Sequence, residues 1–218
     1  MEVYRTEEEQ VQAIQQWWKN NGFSVVAGIV IGIAVLGGYR YWTSHKITQA
    51  QQASAIYSNF LNAKADDKAK DAEKLKTEYS GTPYAALATL LMAKDNLTAN
   101  NFEKAASQLQ WVIDNAHDEG IKHIAVQRLA RVYLSQDKIE SAEALLKDTN
   151  SNGFSATYNE IRGDINRAKK LPAQAKENYR LALASMSQSD QRFAIIKMKL
   201  DDLNEATASV KPAGDKNK

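Results

Sequence analysis

The sequence predicts an all-α protein in which a single N-terminal transmembrane helix precedes a helical-repeat solenoid, and three observations carry that prediction. One long uncharged apolar run occurs, at 20–39. Beyond Trp42 the apolar residues recur at spacings of three and four, as amphipathic helices require, and the alternating runs of a sheet are missing. The same region repeats a small-residue pattern at 37 and then 33 residues, a period typical of stacked helical units.

Taken in chain order, EEEQVQAIQQWW reads as a short amphipathic helix with Val11, Ile14 and Trp18 near one face, suited to interfacial packing. The apolar run follows, between Lys19 and Arg40, with FSVVAGIVIGIAVLGGY at its centre. Twenty residues at about 1.5 Å each span about 30 Å, the thickness of a bilayer's hydrocarbon core. The whole chain has a mean hydropathy of -0.50 and is too polar to surround such a helix. Trp17, Trp18 and Lys19 on one side, and Tyr39, Arg40, Tyr41 and Trp42 on the other, supply interfacial anchors.

A cleavable signal peptide fits poorly, because Glu2, Glu7, Glu8 and Glu9 stand where a basic head is needed and YRYWTSHK follows where small residues are needed. Arg5 and Lys19 balance Arg40 and Lys46, so the positive-inside count leaves orientation open. Gly28 and Gly32 form a small-xxx-small pair through which a second helix can approach, a candidate transmembrane contact.

Soluble helices are expected at 45–63, 68–79, 83–98, 102–116, 120–135, 138–147, 155–169, 172–186 and 190–205, the first continuing from the span because no breaker intervenes. Asn101, Gly120, Gly153 and Pro172 fall in or beside turns. Thr82 before Pro83 reads as an N-cap, Asp137 with Glu140 as a capping box, and Ser155 and Asp190 as further caps. The helix 190–205 reads as the cap of the solenoid's open end, and the chain from Ser209 onward as a solvated tail.

The repeat is a small residue, an apolar or ring residue nine later, and Ala three beyond that: Ala93, Phe102, Ala105; Ala130, Ile139, Ala142; Gly163, Pro172, Ala175. Four residues after each Ala stands a large side chain, Leu109, Leu146 or Tyr179, on the same helical face. Two antiparallel helices cross closely where small residues meet, and the large residue one turn on fills the wedge between them. The pattern resembles tetratricopeptide repeats. It departs from them at Asn96 and Asn166 (an aromatic is usual, and Tyr133 keeps it), at Arg162 (usually Leu) and at Thr149, which makes the third pair the least secure.

Composition excludes several function classes. Lys+Arg of 28 against Asp+Glu of 26 gives a net charge of +2, no basis for nucleic-acid binding. Without Cys there is no thiolate nucleophile and no Cys-ligated metal. His45, His117 and His123 lack metal-site spacing, and the phosphate-loop, GxSxG and HExxH patterns are missing. Asp201, Asp202 and Glu205 make one ordinary charged helix face. No catalytic residue, cofactor or metal is therefore expected. Tyr57, Phe60, Phe102, Trp111, Tyr133 and Tyr179 read as core. A solenoid's function lies in its surface. Under the repeat register, Lys94, Gln127, Arg131, Asp164 and Arg167 face a candidate partner-binding groove, with solvated charge as the competing reading.

The combination of a short acidic tail, one span ending in GYRYWTSHK, then YAALATLLMAKDNL, AASQLQWVIDNA, RLARVYL and EIRGDI resembles the YfgM-type ancillary subunits of the bacterial Sec translocon, from residue 1 to about 205. The resemblance implies a short cytoplasmic tail at 1–19, a membrane helix at 20–42, a periplasmic repeat domain at 43–206 and a disordered tail at 207–218. It further implies a non-catalytic scaffold of the bacterial inner membrane, linking SecYEG to a PpiD-type periplasmic chaperone and assisting secretory or envelope protein biogenesis. The alternative is a membrane-tethered regulatory adaptor that binds a cytoplasmic stress-response regulator.

Overall fold

A computed structural model describes residues 7–147 and 152–209. Glu2, Arg5, Thr149 and the tail from 210 onward lie outside the described residues, as does the side chain of Glu205. Among those described the architecture is all-helical, as the three- and four-residue spacing predicts: α1 (Glu7–Asn62), α2 (Ala65–Glu78), α3 (Pro83–Thr98), α4 (Phe102–Asn115), α5 (Glu119–Ser135), α6 (Ile139–Leu145), α7 (Ser155–Ala168), α8 (Pro172–Ala184) and α9 (Gln191–Ser209). A single 3-10 turn precedes α7.

The chain divides into two compact units, one up to Gln52 and one from Ala53. In the first, the amphipathic stretch and the apolar run are one unbroken helix, since nothing between them lacks a backbone donor. Its apolar side chains are uncovered: Phe23 is 89% exposed and Leu36 67%. Within this unit that surface is left open among the described residues, which suits a lipid-facing segment. Gly22 is the exception, because the Trp18 indole lies over it, 3.2 Å from where a Cβ would stand.

In the second unit each helix packs on its neighbours in the chain, as in a solenoid. The end of α1 contributes Ala53 and Phe60 to a core with Leu75 of α2 and Ala85 and Ala88 of α3. Leu90, Leu109, Val112 and Leu129 fill the next layer across α3, α4 and α5. Val126, Leu146, Tyr158 and Ile161 join α5, α6 and α7, and Tyr179, Ala182 and Ile196 join α8 to α9. Trp111 lies between the first two cores, with Lys76 Nζ 5.4 Å from its ring centroid.

All three repeat units hold. Ala93, Ala105 and Leu109, then Ala130, Ala142 and Leu146, then Gly163, Ala175 and Tyr179 are buried. The third pair, expected to be the least secure, is packed most tightly: a Cβ on Gly163 would run into the Tyr179 ring. The Arg162 guanidinium, where Leu is usual, donates to the Leu146 carbonyl at 3.1 Å and so serves the end of α6. Asn96 donates to Gln108 Oε1 at 3.0 Å across α3 and α4, replacing an aromatic contact with a polar one.

The helix ends correct several of the expected caps. Asp137 is no capping-box residue of α6: its φ is 57°, and Lys138 occupies the N-cap without a side-chain bond. Asn100, Asp137 and Lys170 all have left-handed φ, at the same point of each repeat. After each, the next residue's N–H reaches back five positions: Asn101 to Asn96, Lys138 to Tyr133 and Leu171 to Asn166, at 2.8 to 2.9 Å. This is the Schellman closure, which satisfies the last carbonyls of a helix and needs its left-handed residue where these three stand.

Thr82 occupies an N-cap, but its hydroxyl donates to the Tyr79 carbonyl rather than capping α3. Ser155 is the first residue of α7, with Phe154 at the N-cap. Asp190 does cap, accepting the Arg192 N–H at 2.9 Å, and so does Asp118, overlooked in the sequence, accepting that of Ile121 at 2.9 Å.

Candidate functional site

The helices α5, α7 and α9 enclose a cleft of about 450 Å³ lined by Arg131, Leu134, Ser135, Asp164, Arg167, Ala168 and Lys199. Arg131 follows the small Ala130, and Asp164 follows the small Gly163. The repeat therefore sets their placement: the small residue turns into the core, and its successor turns out one side of the helix.

A charge network fills the floor. Glu160, one turn before Asp164 on α7, has a side chain only 8% exposed and accepts from Arg131 at 3.2 Å and from Lys199 at 2.9 Å. Lys199 Nζ also donates to both Asp164 oxygens at 2.8 Å. A carboxylate as buried as Glu160 is tolerated because two cations replace its lost water. Asp164 Oδ1 further accepts the Tyr179 hydroxyl at 2.7 Å. Burial first, and then the adjacent Asp164 carboxylate, hold that phenol above its usual range, so it remains a donor.

Of the five groove residues named from the sequence, the structure brings Arg131, Asp164 and Arg167 to this one cleft. Lys94 occupies the corresponding place on α3, where it is exposed and does not line the cleft. Gln127, one turn before Arg131, is half-buried, and its Nε2 is buried without a hydrogen-bond partner among the described residues. The sequence reading missed Glu160 and Lys199. The spacing of Glu160 and Asp164 on one helical face is a legible signal, whereas nothing local marks Lys199.

On α1, Gly28 and Gly32 are exposed, and a Cβ on either would meet nothing within 4 Å. His123 hydrogen-bonds to the Tyr158 hydroxyl and packs against Phe154 with ring centroids 4.7 Å apart, so it is engaged in packing rather than poised for chemistry. Burial pushes Tyr158 up to about 12, with the Arg162 guanidinium opposing. Among the described residues no group of three or more His, Asp or Glu is placed to hold a metal ion. Asp201 and Asp202 are exposed on α9.

The arrangement suits binding: a cleft between stacked helices, mixed charge at its floor, and apolar Leu134 and Ala168 at its edge. Residues 15–205 match the model of the tetratricopeptide repeat-like domain family. A protein of Escherichia coli (strain K12) named ancillary SecYEG translocon subunit is 32% identical over 94% of this chain and the whole of that protein. Proteins of the same name from Haemophilus influenzae and Neisseria gonorrhoeae are 33% and 30% identical, over 92% and 93% of this chain and the whole of theirs. No solved structure matches the chain. With its repeat register, the one helix among the described residues that is long and apolar enough to cross a membrane, and this full-length similarity, the chain belongs to the family of ancillary SecYEG translocon subunits.

Proposed function

We propose that the protein is a non-catalytic scaffold at the inner-membrane Sec translocon, in which the span tethers a periplasmic repeat domain that links SecYEG to a PpiD-type chaperone and assists the biogenesis of secretory or envelope proteins. The observation that carries the reading is the full-length similarity to three proteins named as ancillary subunits of that translocon. The exposed apolar surface of α1 supports membrane attachment through 20–42; the proposed sidedness, 1–19 cytoplasmic and 43–206 periplasmic, rests on the family resemblance alone. The surface marked by Lys94, Gln127, Arg131, Asp164 and Arg167 is the proposed partner-docking face, and Gly28 and Gly32 the proposed contact with another membrane helix.

Because the chain has no Cys, single cysteines at the exposed positions Ser58, Ser107 and Ser185 report topology without background. Labelling of all three from the periplasm in intact cells, together with SecYEG and the chaperone in a mild-detergent eluate, is the expected result. Labelling only after lysis overturns the topology and favours an adaptor binding a cytoplasmic stress-response regulator.

A further inference from the structure

The cleft between α5, α7 and α9 has an uneven charge balance. Both of its carboxylates are occupied within the fold: Glu160 accepts from Arg131 and Lys199, and Asp164 from Lys199 and Tyr179. Three cations, Arg131, Lys199 and Arg167, meet those two anions, so one positive charge is left over. It resides at Arg167, which is exposed, lines the cleft and makes no ion pair among the described residues. Arg131 adds to it, because 41% of its side chain remains exposed beside its bond to Glu160. Leu134, half-buried on α5, provides an apolar wall.

We propose that this cleft binds an acidic segment of an extended polypeptide, a carboxylate pairing with Arg167 and the exposed edge of Arg131 while a neighbouring apolar side chain rests on Leu134. A guanidinium fork matches a carboxylate through two parallel donors. One uncompensated cation suits a singly charged carboxylate better than a phosphate, which carries nearly twice the charge. The cleft volume of about 450 Å³ falls within the range of sites that hold a few side chains. The proposal rests on the docking-face reading above and specifies its ligand.

The test uses the full chain in nanodiscs of zwitterionic lipid and fluorescence anisotropy of a short labelled peptide of Glu and Leu, with Gln-for-Glu and Lys-for-Glu counterparts. The acidic peptide is expected to bind about tenfold tighter than the Gln peptide, with added salt eroding the difference. Arg167→Glu abolishes the preference, Arg167→Gln weakens it, and Lys104→Glu, on the exposed side of α4 and outside the docking face, leaves it intact; circular dichroism checks that each variant folds. An equal response of wild type and Arg167→Glu overturns the proposal. So does adsorption to phosphatidylglycerol vesicles that Arg167→Glu removes while no peptide is preferred, which would reassign the charge to lipid. Neither failure touches the labelling and co-purification result, so the scaffold reading stands or falls separately.

Discussion

Gly163 and Tyr179 set the closest helix approach in the repeat domain, since a Cβ at 163 would stand within the aromatic ring. Gly163→Ala is therefore expected to cost about 1–3 kcal/mol by overpacking, visible as a lower denaturant midpoint, and Tyr179→Leu in the same chain should return part of it. Lys170 presents the opposite case. It holds φ at 59° in the Schellman turn of α7, where a side chain costs about 1 kcal/mol relative to glycine, so Lys170→Gly should raise the midpoint. Asn100→Gly should change it less, because Asn tolerates that conformation.

Tyr158 adds a pH dependence. The fold raises its value from 10.0 to about 12 and so favours the neutral phenol. That stabilisation is whole below pH 10 and is lost as pH climbs from 10 towards about 12. Midpoints measured across that window should fall with pH, and less steeply in Tyr158→Phe.

At the scale of elements, α9 is held in two different ways. Ile196 docks into the apolar layer of α8, while Lys199 bonds to Glu160 and Asp164 and Arg192 to Thr157, all three on α7. Lys199→Ala leaves Glu160 with Arg131 alone. With Lys199 only 20% exposed, the expected loss is about 1–3 kcal/mol, less than for a fully buried pair. Hydrogen exchange should locate it in α9, with α3 and α4 unchanged. A uniform increase across all helices would show that α9 does not open as a unit. Arg131→Glu would be an ambiguous probe of the cleft, because it sets a second carboxylate against the buried Glu160; Arg167 gives the cleaner substitution. On α1, Ala at Gly28 and Gly32 adds a Cβ that meets nothing within 4 Å among the described residues. Any loss of cross-linking to a neighbouring membrane helix in that variant therefore reports an intermolecular contact.

For the molecule as a whole, the question is what ends the solenoid. One repeat length of 33 residues beyond Gly163 comes Ile196, where earlier units carry Ala93, Ala130 or glycine. Its bulk is fully buried against Ala175, Tyr179 and Ala182, so α9 covers the apolar face of α8. Shortening the chain to end at Ser185 should therefore strip Tyr179 of cover and leave Asp164 without Lys199. The expected outcome is a broad, lower melting transition and association in solution, since terminal units of a solenoid lose the interface that stabilises them. A sharp, unchanged transition by circular dichroism would show that α9 is dispensable.

The sequence by itself determined the class, the membrane-length run and the bounds of most helices, because each rests on local physics: an uncharged stretch of a given length, a three- and four-residue period, small residues recurring at 37 and 33. It missed where local chemistry has two uses. Asp137 can start a helix or end one, and only the Schellman bonds of α5 show that it ends one. Tertiary structure alone decided the charge pairing. Lys199 lies 39 residues from Glu160 and 35 from Asp164, and they meet because the docking of Ile196 and Leu200 on α8 sets the rotation of α9. Spacing along a chain specifies which face of a helix a side chain occupies; which partner that face meets depends on how the helices pack.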